Sequence, residues 1–215
     1  MLGAIAAHLG NIFGYREQNG FVIHDIFPLQ TQEFSNTGSS SRRSLAFHSD
    51  GASHPVITPD FLLLYCIRPD KQVCNHIIEL PQLLASLPDT VIHMLKQPCF
   101  RHLVDEELRV VDKDNFIMQP VICEEQGRLI IKYDYDLTFG TDIHSCQALE
   151  ILNQHIADHT TKLDNHANTL LVINNKTCLH GRSAFIPRYD GSDRWIQSAF
   201  VSRCNIRNGA VIHTQ

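Results

Sequence analysis

The chain is poor in the features that mark several large protein classes. Its seven cysteines stand at 66, 74, 99, 123, 146, 178 and 204, so no Cys-x-x-Cys clip exists. A thiolate zinc site is thereby disfavoured, and an odd, dispersed set of thiols predicts a reduced, cytoplasmic protein. There is no basic surplus: 18 Lys and Arg face 23 Asp and Glu, for a net charge of −5. That argues against nucleic acid as a partner, because phosphate-backbone binding rests on excess positive charge. No apolar run is long enough to cross a bilayer, which takes about 20 residues; the best is Phe61 to Ile67. Met1 to Gly14 is mildly apolar but lacks a basic n-region and carries His8, which argues against a secretory leader. No repeat, low-complexity block or linker divides the chain. What remains is 215 residues, 43% hydrophobic and 19% charged, enough to bury one core as a single domain over 1–215.

Periodicity then places elements. Met1 to Phe13 has helical spacing through Leu2, Ile5, Ala6, Leu9, Ile12 and Phe13. Phe21 to Phe27 reads as a strand, and Thr31 to Arg43 as a mobile, serine-rich loop or a lid over a pocket. Phe61 to Arg68 is a continuous apolar run between Pro59 and Pro69, hence a buried strand. Leu80 to Leu95 is helical, interrupted at Pro88. Ile117 to Cys123 and Arg128 to Tyr135 read as two strands, Ser145 to Thr161 as the clearest helix, and Thr169 to Ile173 and Trp195 to Cys204 as strands. Short strands dominate and do not alternate regularly with helices. The expectation is a mainly β fold with flanking helices, a sandwich or open barrel rather than a parallel doubly wound sheet.

The chemistry concentrates in His48-Ser49-Asp50. If His48 opens a strand, residues 48 and 50 point to one face. A third ligand has to come from elsewhere, and His180, 132 residues further on in Leu179-His180-Gly181-Arg182, is the best candidate. Two histidines and one carboxylate form the facial triad of non-haem Fe(II) oxygenases, which leaves metal positions open for ligands. Arg194 lies 14 residues after His180. Asp190-Gly191 signals a turn, so a hairpin is expected to set Arg194 on a strand beside that of His180. A guanidinium there can grip the far carboxylate of a 2-oxo dicarboxylate through two parallel hydrogen bonds. His155 and His159 share a helix face, but Ile156 stands where a zinc protease has its glutamate, so they read as a solvated face.

The spaced set of His48-Ser49-Asp50, His180-Gly181-Arg182 and Arg194-Trp195 resembles the Fe(II)- and 2-oxoglutarate-dependent oxygenases of the clavaminate synthase and taurine dioxygenase type. Tyr15 to Gly20, Asp60 to Arg68, Val104-Asp105-Glu106 and Gly140-Thr141-Asp142 carry the resemblance across most of the chain. It lies on the side of the branch that hydroxylates free amino acids. The resemblance implies a double-stranded β-helix, or jelly roll, with iron at its open end. It implies Fe(II) held by His48, Asp50 and His180, 2-oxoglutarate held by Arg194, and O2 as second co-substrate. It places Asp134, Glu17 and Gln18 against an amino-acid-like substrate, and we group Arg182 with them, a structural ion pair being its alternative. The product is expected to be a hydroxylated, unactivated carbon; the other reading is a decayed jelly-roll module that holds a small metabolite without turnover. Four departures stand out. Asp50 replaces the branch's usual Glu, no threonine falls near Cys74-Asn75-His76, Ser198 stands where many members carry a second Arg, and an N-terminal segment that covers the site in the family is expected to be missing.

Overall fold

The computed structural model describes residues 2–54, 57–109, 114–204 and 211–212. In chain order the elements are α1 (Leu2–Leu9), β1 (Asn11–Tyr15), β2 (His24–Ile26), β3 (Leu45–His48), β4 (Phe61–Arg68), β5 (Cys74–Glu79), α2 (Leu80–Ser86), α3 (Asp89–Leu95), β6 (Phe100–Leu103), β7 (Phe116–Gln119), β8 (Ile122–Glu125), β9 (Arg128–Ile131), β10 (Thr138–Gly140), α4 (Ile143–His159), β11 (Thr161–Asp164), β12 (Leu170–Asn174), β13 (Cys178–Arg182), β14 (Trp195–Ser202) and β15 (Val211–Ile212). Two antiparallel sheets make the body. The larger runs β12-β4-β14-β1-β15, with β2 also paired to β14; the smaller runs β11-β5-β13-β3. Among the described residues, no helix is long and apolar enough to cross a membrane.

The apolar run of β4 follows from burial on both faces. Phe61 and Leu63 point outward under α1, where they meet Leu2, Ala6, Ala199 and Val201. Leu62 points inward with Ile173 and Cys178, and Leu64, Ile77 and Phe200 pack on them, which joins the two sheets. Strand side chains alternate faces, so one strand can serve both layers only if nearly every residue is apolar. Each leucine buried in this way contributes about 2 kcal/mol.

Helices α2, α3 and α4 cover the outer face of the smaller sheet. Their Leu83, Val91, Leu95, Leu152 and Ile156 pack on Ile78 and Leu179. Pro88 splits α2 from α3 because the residue before a proline is driven out of helical geometry; Leu87 is extended at φ −76°, ψ 144°. A reciprocal cap starts α4: Ser145 N–H donates to Asp142 Oδ1 at 2.8 Å, and Asp142 N–H donates to Ser145 Oγ at 3.0 Å.

Several expectations are corrected. The opening helix stops at Leu9, and Asn11 to Tyr15 turn extended to pair with β14. Only His24–Ile26 of Phe21 to Phe27 is strand. Pro120 cuts Ile117 to Cys123 into β7, which pairs with β6, and β8, which pairs with β9. Thr31 to Arg43 is a packed wall rather than an open loop: Ser40 and Ser41 are fully buried, and Glu33 O receives the Ser41 and Arg42 N–H groups. His155 and His159 stack at 5.6 Å, and His155 Nδ1 lies 3.3 Å from Ser86 Oγ, so this face is turned towards α2.

Candidate active site

A pocket of about 320 Å³ opens between the two sheets. Inward positions of β13 and β3 make one wall, Leu62 and Leu64 of β4 with Ser198 and Phe200 of β14 the other, and residues 36–39 close a side. Into it the fold brings His48, Asp50, His180, Arg182, Arg194, Asp134 and Gln18; Glu17 is absent from the lining and turns its carboxylate to His54, at 3.9 Å.

His48 and His180 meet through strand register, because β3 and β13 pair with His180 opposite His48. Their rings stand 4.3 Å apart. His48 closes its strand rather than opening one, and Asp50 reaches the same point from the turn beyond. Gly51 makes that turn possible: it sits at φ +61°, against the Tyr15 hydroxyl, where a Cβ has no room. Asp50 Oδ1 lies 3.7 Å from His48 Nε2, and Asp50 Oδ2 lies 3.3 Å from His180 Nε2. The three groups offer ligand atoms that all lie within 4.8 Å of one another. Donors about 2.1 Å from one ion and at right angles stand about 3 Å apart, so this set is slightly wider than a bound set and could close on one divalent cation.

Two supports hold this geometry. His48 Nδ1–H donates to Ala46 O at 2.8 Å, which turns Nε2 towards Asp50. Asn175, fully buried, grips the Asp50 backbone from both sides: Asp50 N–H donates to Asn175 Oδ1 at 2.8 Å, and Asn175 Nδ2 donates to Asp50 O and Pro59 O, both at 3.0 Å. Asn175 lies in a turn, and nothing in a turn dipeptide tells which strand end it will clamp.

The charges at this end balance one another. Burial works against the charge on His48, but the hydrogen bond and charge of Asp50, with Asp134 and the Ala46 carbonyl, outweigh it and push the imidazolium up to about 9. Burial also works against ionising Asp50, yet the two imidazoles hold its carboxyl well below the usual range. His180 is lowered, first by burial and then by the neighbouring His48 cation.

Asp134 forms an isolated β-bridge with His48, and its Oδ1 receives the Asp136 and Leu137 N–H groups at 2.8 and 3.1 Å. Strand β9 ends at Ile131, so Asp134 is a pocket-wall residue at the chain's exit, not part of a strand running to Tyr135. Burial raises Asp134, Asp105 and Glu107, all of which line the pocket. Gln18 Nε2 donates to Glu107 Oε2 at 3.1 Å. Asp105 and Glu107 were missed as individual residues; the Val104-Asp105-Glu106 segment that contains Asp105 was the available signal.

Arg194 reaches the pocket by another route than the expected hairpin. Strands β13 and β14 lie in different sheets, and residues 183–194 cross from one to the other. The Asp190-Gly191 turn is real, with Gly191 at φ +84°, but it feeds the crossing. Arg194 pairs with neither Asp190 nor Asp193: Asp190 Oδ1 takes Ser192, and Asp193 takes the Arg188 and Tyr189 N–H groups. Asn75 holds the lining position near which a threonine was sought, its Nδ2 donating to Asn165 Oδ1 at 2.8 Å.

The chain belongs to the family described as taurine catabolism dioxygenase TauD, TfdA family, whose model matches residues 5–200. It is 29% identical over 203 residues to an L-lysine 3-hydroxylase of Catenulispora acidiphila, a match covering 90% of this chain and 55% of that protein. It is 28% identical over 193 residues to an L-asparagine oxygenase of Streptomyces coelicolor, covering 86% and 55%. The chain thus spans about half the length of these curated relatives. Among solved structures, an asparagine oxygenase in complex with Fe(II), 2S,3S-3-hydroxyasparagine and succinate superposes with a TM-score of 0.85 at 26% identity, over 93% of this chain and 62% of that one. The non-heme iron oxygenase OrfP, in complex with Fe and alpha-ketoglutaric acid, gives 0.82 at 28% identity, over 93% and 62%.

Proposed function

We propose that this chain is an Fe(II)- and 2-oxoglutarate-dependent oxygenase that hydroxylates an unactivated carbon of a small polar substrate, an amino acid or a derivative of one. One observation carries the reading. Two imidazoles and a carboxylate converge in the same pocket as a buried guanidinium that has no acid partner among the described residues. We read the two facing sheets as a jelly roll, a single oxygenase domain over 1–215, and the seven free thiols as support for a reducing, cytoplasmic setting.

In this reading His48, Asp50 and His180 hold the iron. With 2-oxoglutarate and O2 the iron supplies an oxidant strong enough to take hydrogen from carbon, and the protein orients the reactants and shields the site. Asn175 and Ala46 hold Asp50 and His48 facing His180, so only small shifts of the side chains would be needed to close them on a metal. Arg194 takes the distal carboxylate of 2-oxoglutarate through charged, parallel hydrogen bonds. Leu62, Leu64 and Phe200 keep water from the space beside the metal. Asp134, Asp105 and Glu107 put negative charge on the substrate side, which suits an amine or guanidine group; among the described residues none of the three forms a salt bridge. The amino-acid hydroxylases among the relatives support that substrate class.

The test is a screen of free amino acids for stimulated succinate formation with Fe(II) and 2-oxoglutarate, read with product mass. A product one oxygen atom heavier is expected. A binding module without turnover is the reading that Ser198 favours, since a small hydroxyl there leaves one fewer cation in the pocket. Absence of succinate with every amino acid and amino-acid amide tried would select it.

A further inference from the structure

Two buried cations face the pocket with no acid among the described residues to balance them. Arg182 is 3% exposed; its Nη2 donates to Ser40 O and Oγ at 2.9 and 2.8 Å, its Nη1 donates to Ser183 O at 2.6 Å, and its Nε has no partner. Arg194 is 6% exposed; its Nη1 reaches Gly38 O at 3.4 Å, and its Nε, like that of Arg182, has no partner among the described residues. Both guanidiniums lie beside one ring, 5.2 and 6.0 Å from the centre of Phe185. The acids nearby are already engaged. Asp70 Oδ2 pairs with Arg188 at 2.9 Å, and Asp193 faces the same guanidinium at 3.9 Å. Among the described residues, neither Arg182 nor Arg194 forms an ion pair. A buried guanidinium normally comes with a counter-charge. Two that share a pocket wall and lack one are built for an anion that arrives from outside.

The fold explains why they meet. Arg182 ends β13 in the smaller sheet and Arg194 directly precedes β14 in the larger one. The two chain ends that join the sheets therefore deliver one guanidinium each. Each also holds a carbonyl of the wall segment, Ser40 and Gly38, so the anion would lie between the two sheets and that wall.

We propose that Arg182 and Arg194 form one twin-guanidinium cradle for the distal carboxylate of the dicarboxylate co-substrate. This rests on the oxygenase reading, and it moves Arg182 from the substrate side of the site to the co-substrate side.

The chain's single tryptophan, Trp195, adjoins Arg194 and donates from Nε1 to Asp25 Oδ1 at 2.7 Å, so its fluorescence can follow binding in the metal-free protein. The probe is glutarate, which has the two carboxylates of 2-oxoglutarate without the keto group. Saturable binding by the wild type is expected. Arg182→Met and Arg194→Met should each weaken it tenfold or more, and the double variant should be no more than about threefold worse than either, because one carboxylate needs both arms. Arg182→Lys, which keeps the charge and loses the fork, should bind three- to tenfold more weakly than wild type. A folded Arg182→Met protein that binds glutarate within twofold of wild type overturns the cradle, as does a wild type without saturable binding. If Arg182→Met does not fold, unchanged affinity in Arg182→Lys overturns it. The two readings fail separately. Succinate release with glutarate affinity indifferent to Arg182 removes the cradle alone; glutarate binding through both arginines without succinate release removes the oxygenase alone.

Discussion

The two ends of the pocket solve the problem of buried charge in opposite ways. At one end His48, Asp50 and His180 neutralise one another, with Ala46 and Asn175 holding them in place. At the other, Arg182 and Arg194 have carbonyl and hydroxyl acceptors but, among the described residues, no carboxylate. A self-balanced cluster keeps its geometry before any ligand binds. An unbalanced one gains most when a ligand brings the missing charge. On the proposed function, the contrast separates a metal end whose side chains already neutralise one another from a guanidinium end that a ligand would complete.

Substitutions can break this contrast at either end. The largest effect is expected from His180→Ala, which removes a third of the ligand set: succinate formation should vanish while the circular dichroism of the folded domain stays unchanged. Wild-type succinate release from that variant would disprove the triad. Arg194→Ala comes next. Losing a charged, two-point contact costs about 2–3 kcal/mol, which raises the 2-oxoglutarate requirement about 30- to 150-fold, measured as the half-saturating concentration. An unchanged requirement would put the co-substrate elsewhere.

Two further effects act on stability rather than turnover, in the scaffold around the pocket. His102, 1% exposed on β6, is lowered to about 4, first by burial. The folded state therefore keeps this ring neutral while the unfolded chain takes a proton below about 6.5. Stability from this residue is complete above that value and is lost as pH falls towards 4, by roughly 3 kcal/mol. Denaturant titrations across that range should show the loss, and His102→Gln should flatten it; an equal slope in both proteins would rule the residue out. Asn175→Ala should cost about 2 kcal/mol by stranding the Asp50 N–H and the Asp50 and Pro59 carbonyls. It should also weaken Co(II) or Fe(II) binding while leaving glutarate affinity unchanged, which separates the two ends of the pocket in one variant.

Much of this was legible in the primary structure, and the unevenness has physical causes. The β4 run from Phe61 to Arg68 was plain because both of its faces are buried. The α2–α3 break was plain because Pro88 permits no other geometry at Leu87. Strand β5 was missed: Cys74, Asn75 and His76 break the apolar pattern, since Asn75 faces the pocket and its neighbours the other side. His48, Asp50 and His180 could be singled out because His-x-Asp and His-Gly-Arg are short motifs whose residue types themselves suggest metal chemistry, and strand register then brings them together. Asn175 could not, because its role depends on a contact with a residue 125 positions away. Nor could the crossing of residues 183–194 between sheets, since a turn signal at Asp190-Gly191 is the same whether the chain folds back or moves on.

The central claim is that one pocket joins a divalent-metal face to a dicarboxylate cradle. It is tested most directly by following 2-oxoglutarate consumption, succinate and amino-acid product together, with one Fe(II) per chain. The account predicts one succinate for each molecule of hydroxylated amino acid, with both lost when the iron is chelated. Amino-acid product that forms equally well without iron or without 2-oxoglutarate would contradict it.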